Sequence, residues 1–124
     1  MGYRSEVVLA VAEKVMPQFL ATMAKCPETR KLCFQEHDDM IKDYAGKGNI
    51  LFRWSSIKWY EGYEEIDALS NFMDWCDDDT DDLDDGYRFV RVGEDHDDII
   101  YRGYGFPDIY PSTAVHYWWE ITIL

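Results

Sequence analysis

Long apolar runs are what this chain most conspicuously lacks. No stretch reaches the roughly 18 residues that a membrane-crossing helix needs. The opening MGYRSE has no charged stretch followed by an apolar core, so no secretory leader is expected. It also misses the myristoylation pattern, which wants Ser or Thr at position 6, where Glu6 stands. Cysteine is scarce. Cys26, Cys33 and Cys76 make an odd count, which argues against a disulfide framework. None lies in a CxxC or has a histidine at finger spacing, so zinc is not expected and small buried thiols are.

Catalytic signatures are missing too. There is no GxSxG, HExxH, GxxxxGK[ST] or GxGxxG, and His37, His96 and His116 belong to no local catalytic motif. Neither an enzymatic activity nor a cofactor is expected. No internal repeat and no linker interrupts the chain, so residues 1–124 are expected to form a single domain.

Basic residues are unevenly missing. Residues 1–60 carry nine Lys/Arg and seven Asp/Glu, net +2, whereas 61–98 carry two arginines and sixteen acids, net −14. Nearly the whole net charge of −13 thus sits in one stretch. Such a field repels nucleic acid, disfavouring direct binding through that face, and attracts cations or a basic protein surface.

What the chain does have is packing material. At 47% hydrophobic and 16% aromatic residues it can bury a core and is not a disordered acidic tail. Tyr3–Val11 reads as a buried strand. Met16, Phe19, Leu20 and Met23 form one face of a helix that starts between Glu13 and Met16, with Pro17 in its first turn, and ends at Cys26-Pro27. From Thr29 to Asp39 the pattern is weak, and KLCF reads as a short strand or an extended link. Met40–Tyr44 and Ile50–Tyr60 flank a glycine-bearing turn as a hairpin. Glu61–Cys76 is a second helix, with Ile66, Leu69, Phe72 and Met73 as its apolar stripe and Glu61, Glu64 and Glu65 at its positive pole. Gly86–Val92 alternates as a strand, with Tyr87, Phe89 and Arg91 on one face. Asp98–Phe106 returns, with a bulge or bend at Gly103 and Gly105. Ala114–Leu124 is a last, strongly apolar strand. The expected fold class is α+β: an antiparallel sheet with two helices on one face. Its order is ferredoxin-like (split βαβ), β-α-β-β-α-β, plus one or two extra C-terminal strands.

The densest feature is the run WCDDDTDDLDD, in which Asp77, Asp78, Asp79, Asp81, Asp82, Asp84 and Asp85 crowd together. As a calcium loop starting at Asp81 it would place Asp85 and Gly86 correctly, but Leu83 and Val92 fall where ligands are needed. A loose divalent site remains one alternative and a solvated loop another. His96 in GEDHDD could ligate a metal or pair with its acidic neighbours. Trp59 with Tyr60, and Trp118 with Trp119, cannot both face one core from a strand, so some aromatics belong at the surface or an interface.

Three segments, MGYRSEVVLAV, SIKWYEGYEEIDALSNF and YRFVRVGEDHDDIIYRGYG, are similar to a group of small proteins encoded in bacteriophages and prophages. That group shares an MGYRS-type opening, a VKWY-like segment and a YRF-R-GED-DDI segment. The resemblance implies an accessory phage product acting in the cytoplasm of the host bacterium, and it carries over no catalytic residues. Combined with the charge, it points to a non-enzymatic protein that binds a basic host protein, nucleic-acid-handling or defensive, by presenting carboxylates in place of phosphates. The expected binding residues are Glu61, Glu64, Glu65, Asp67, the seven aspartates from Asp77 to Asp85, and Glu94, Asp95, Asp97 and Asp98. The competing expectation is a homodimer formed through aromatic surface and a sheet edge, with the acids serving solubility alone.

Overall fold

The computed structural model describes residues 2–78, 83–95 and 97–109, without the side chains of Leu83 and Asp84. The elements run β1 (Ser5–Val11), a 3-10 turn (Glu13–Val15), α1 (Met16–Lys25), α2 (Pro27–Phe34), β2 (Asp39–Lys42), β3 (Ile50–Ile57), α3 (Glu64–Asp77), a second 3-10 turn (Leu83–Gly86), β4 (Tyr87–Val92) and β5 (Ile99–Arg102). The fold is α+β, and the five strands form one antiparallel sheet in the order β2-β3-β1-β4-β5. The expected final strand, Ala114–Leu124, lies outside the described residues.

β1 sits at the centre, and its alternation builds two cores. Val7, Leu9 and Val11 join Phe52 and Trp54 of β3 and Tyr87 and Phe89 of β4 under the helices. Val8 and Ala10 join Leu51 and Val90 on the opposite face, where Phe106 and Ile109 pack from the segment after β5. α3 contributes Ile66, Leu69, Phe72, Met73 and Cys76 to the larger core. Burying each large apolar side chain favours folding by about 1.5–3 kcal/mol. An aromatic chain runs Phe34–Phe52–Phe19–Phe72–Tyr87, with successive centroids 5.2–6.3 Å apart.

Three helices, not two, are present. KLCF is neither strand nor link but the end of α2. Pro27 occupies its first turn, Glu28 supports the positive pole, and Thr29, Leu32 and Cys33 bury at helical spacing. His37 Nδ1 meets the Cys33 carbonyl at 2.8 Å beyond the end of this helix. The two helices join at Cys26, whose extended backbone ends α1 and begins α2. In α1 the buried residues are Phe19 and Met23, while Leu20 is 48% exposed and does not belong to the core face. Cys26, Cys33 and Cys76 are buried and unbridged, and burial pushes the Cys33 thiol far up, so it stays protonated.

The bend expected at Gly103 and Gly105 is present, and a second irregularity lies in β3. β3 bulges at Ser55–Ser56, where the register to β1 slips between Ser5 and Val7 and Ser56 takes φ +57. The Ser56 N–H donates to Glu6 and its carbonyl accepts from Arg4. β5 ends at Arg102 instead of running to Phe106. Gly103 turns to φ +85 against the Tyr87 carbonyl, where a Cβ would sit 2.3 Å from the oxygen.

Candidate functional site

The expected acidic residues divide between the two ends of β4. At its start lie Asp77, Asp78 and Asp85; beyond its end, in the turn to β5, lie Glu94, Asp95, Asp97 and Asp98. Six residues of strand put about 20 Å between these ends. Asp79, Asp81 and Asp82 lie outside the described residues, as do His96 and the side chain of Asp84.

Several of these carboxylates hold the fold together. Asp77 accepts the Tyr87 phenol at 2.7 Å and, through its other oxygen, an Arg102 N–H at 2.8 Å. The same Arg102 Nη2 donates to Asp74 at 2.7 Å. α3 has no base in its last turn, where three aspartates face the negative pole of the helix; Arg102 of β5 supplies the missing cation from across the chain. Partial desolvation pulls the Arg102 pKa down, but its bonds to Asp77 and Asp74 outweigh this and raise it. Burial, then the bond to Asp77, drives the Tyr87 phenol well above the ordinary tyrosine range. Lys14 pairs with Asp85.

At the other end Asp98 accepts the Tyr3 phenol at 2.8 Å and two Arg91 N–H groups at 2.7 and 3.2 Å. Tyr3 and then Arg91 hold its carboxyl below the usual carboxylate range. Arg91 also donates to Ser5 Oγ, and Tyr60 donates to the Tyr3 carbonyl. Glu94 accepts the Arg4 N–H, and Asp67 accepts the Gly62 N–H ahead of α3. Glu61, Glu64, Glu65, Asp78 and Asp97 make no side-chain hydrogen bond or ion pair among the described residues.

α3 connects the two ends. Its first turn stands beside the Tyr3–Asp98 network, which shares a cleft with Glu61, Ile66 and Ser70, and its last residue bonds Tyr87 at the far end. The outward stripe of α3 reads Glu64, Asp67, Asn71, Asp74 and Asp78, at helical spacings of 3, 4, 3 and 4. Trp75 lies on this stripe, 37% exposed and stacked on Phe72. Asp74 and Trp75 are the residues that the reading of the acidic run misses. The continuation of the Glu64–Asp67 face through Asn71 would have found both.

Among the described residues, no three His, Cys, Asp or Glu side chains come together to hold a metal ion, and no helix is long and apolar enough to cross a membrane. No protein-family model matches the chain, and no curated protein or solved structure matches it either.

Proposed function

We propose that this chain is a small, non-enzymatic accessory protein of bacteriophage type that binds a basic surface on a host protein, one that handles nucleic acid, in the host cytoplasm. The observation that carries this reading is the outward stripe of α3. It sets four carboxylates and Trp75 along one exposed helix face, in a stretch with no Lys or Arg between Lys58 and Arg88. From Glu64 to Asp78 the axis rises about 21 Å, so the four carboxylates stand about 7 Å apart on average. That is close to every second phosphate of a single nucleic-acid strand, which carries one per roughly 3.4 Å. Trp75 supplies the desolvated anchor that acids alone lack. We also read the element order as a split βαβ plan with two departures: α2 inserted after α1, and β5 added beside β4.

The test uses acids that hold nothing inside the molecule. Glu61→Gln, Glu64→Gln and Asp78→Asn together should leave the thermal melt unchanged and weaken capture of the host protein. Capture by the wild type should itself fall steeply between low and high salt, because exposed charges are screened within about 10 Å at 0.1 M. A partner retained equally by the triple variant, or at high salt, would reject the reading. The competing reading, self-association, is favoured by Ile100 and Tyr101, which are 42% and 51% exposed on the edge strand β5. It predicts a dimer that survives high salt in sedimentation.

A further inference from the structure

Arg88 is the exception among the half-buried arginines. Arg53, Arg91 and Arg102 are half-buried and each holds a carboxylate. Arg88 is equally half-buried, yet among the described residues it has no carboxylate within ion-pair distance. Its Nη1 donates to the Gly103 carbonyl at 3.1 Å and its Nη2 to the Ile109 carbonyl at 3.3 Å. Its buried Nε has no hydrogen-bond partner. The guanidinium lies 5.4 Å from the centre of the Tyr101 ring. Among the described residues it therefore has no carboxylate partner, in a chain of net charge −13.

This cation opens on a cavity of about 480 Å³ at the end of the β4–β5 ribbon, lined by Asp77, Arg88, Tyr101, Arg102, Gly103 and Tyr104. The volume falls in the range of small-molecule sites. Two backbone carbonyls and an aromatic face fix the plane of the Arg88 fork, leaving N–H groups on the same planar group unused. Tyr104, 75% exposed, and Tyr101 offer ring faces at the mouth. The lining residues Arg88 and Arg102 against Asp77 sum to one positive charge, while Asp74, outside the lining, also bonds Arg102.

We propose that this cavity binds a small aromatic monocarboxylate, its carboxylate on the Arg88 fork and its ring against Tyr101 and Tyr104. A planar guanidinium matches a carboxylate in two parallel hydrogen bonds, a geometry that a tetrahedral phosphate uses no better here. The single free charge and the nearby Asp77 disfavour a dianion. The site borders the acidic stripe, whose Asp74 bonds Arg102 at the cavity wall, so the ligand's carboxylate is assigned to Arg88 alone.

Titration of the isotope-labelled protein with benzoate, acetate and inorganic phosphate, followed by amide NMR, tests the assignment. Benzoate should shift the amides of Tyr101, Gly103 and Tyr104 saturably, with a dissociation constant of about a millimolar. Acetate should bind more weakly at the same amides, and phosphate should leave them unmoved. Arg88→Lys keeps the charge but loses the fork, and should weaken benzoate roughly tenfold. Tyr104→Ala alters only an exposed side chain, so its fold is safe; it should bring benzoate down to the acetate level and leave acetate unchanged. Absence of saturable shifts with benzoate, phosphate binding as tight as benzoate, or full affinity in folded Arg88→Lys would each overturn the proposal.

Discussion

Tyr87 donates its phenol to Asp77 across 2.7 Å, tying the first residue of β4 to the last residue of α3. The acidic segment between them therefore leaves and re-enters the fold at a fixed point. It also means that Asp77, the opening member of the aspartate run, is occupied inside the molecule.

Removing that tie should cost about 1 kcal/mol, the net worth of a typical intramolecular hydrogen bond. Tyr87→Phe keeps the ring against Phe72 and loses only the donor. Urea denaturation should show a lower midpoint with an unchanged slope. An unchanged midpoint would mean that the bond adds nothing to the anchoring of α3.

The depressed pKa of Asp98 has a pH signature. A carboxyl whose folded pKa lies below its unfolded value, about 3.9, stabilises the fold above that value and loses this contribution as pH falls through the folded pKa. Wild type and Asp98→Asn should therefore differ by a constant amount in thermal stability above about pH 5, and the gap should narrow below about pH 4. A gap that stays constant through the acid range would refute the assignment to Tyr3 and Arg91.

Helix phase can be read from two alanine substitutions. Phe72 is 1% exposed and contacts Phe19 and Tyr87, so Phe72→Ala should cost about 3–5 kcal/mol. Leu20 is largely outside, and Leu20→Ala should stay within about 0.5 kcal/mol. A comparable loss at both positions would place Leu20 in a core that the structure denies it.

The bulge in β3 makes a third contrast. Ser56 holds φ +57, a region that penalises any Cβ and a β-branched one most. Ser56→Gly should be tolerated to within about 1 kcal/mol, relief of the strain offsetting the added freedom of the unfolded chain. Ser56→Val should cost about 1–2 kcal/mol more. Equal melting temperatures for the two variants would argue that β3 runs straight.

The strands and α3 were legible because their signals are local and repeated. Alternation in VVLAV and YRFVRV places Val7 and Leu9 on one core and Val8 and Val90 on the other, as the register confirms. α2 was hidden because it is only eight residues long, and one turn of it, Leu32-Cys33-Phe34, is apolar enough to pass for a strand. Leu20 follows the helical spacing yet sits outside, because periodicity marks a stripe and not its edges. The acids show the sharper limit. Neighbours in sequence do not share one face: β4 carries them to opposite ends, and Asp77 and Asp98 turn inward to Tyr3, Tyr87, Arg91 and Arg102. Which carboxylate meets which arginine depends on how β5 lies against α3, and no local pattern encodes that.

β1 precedes both of its partners in the chain and keeps an unpaired edge until the later of them, β4, is made. Its partners are β3 on one side and β4 on the other, and Val8 is matched by Val90. At roughly 5–20 residues per second, the intervening chain takes on the order of ten seconds to make. Through that interval VVLAV offers an unpaired edge to any other nascent strand. Newly made chains of this protein are thus most exposed to mispairing, and most in need of chaperones, before Tyr87–Val92 emerges.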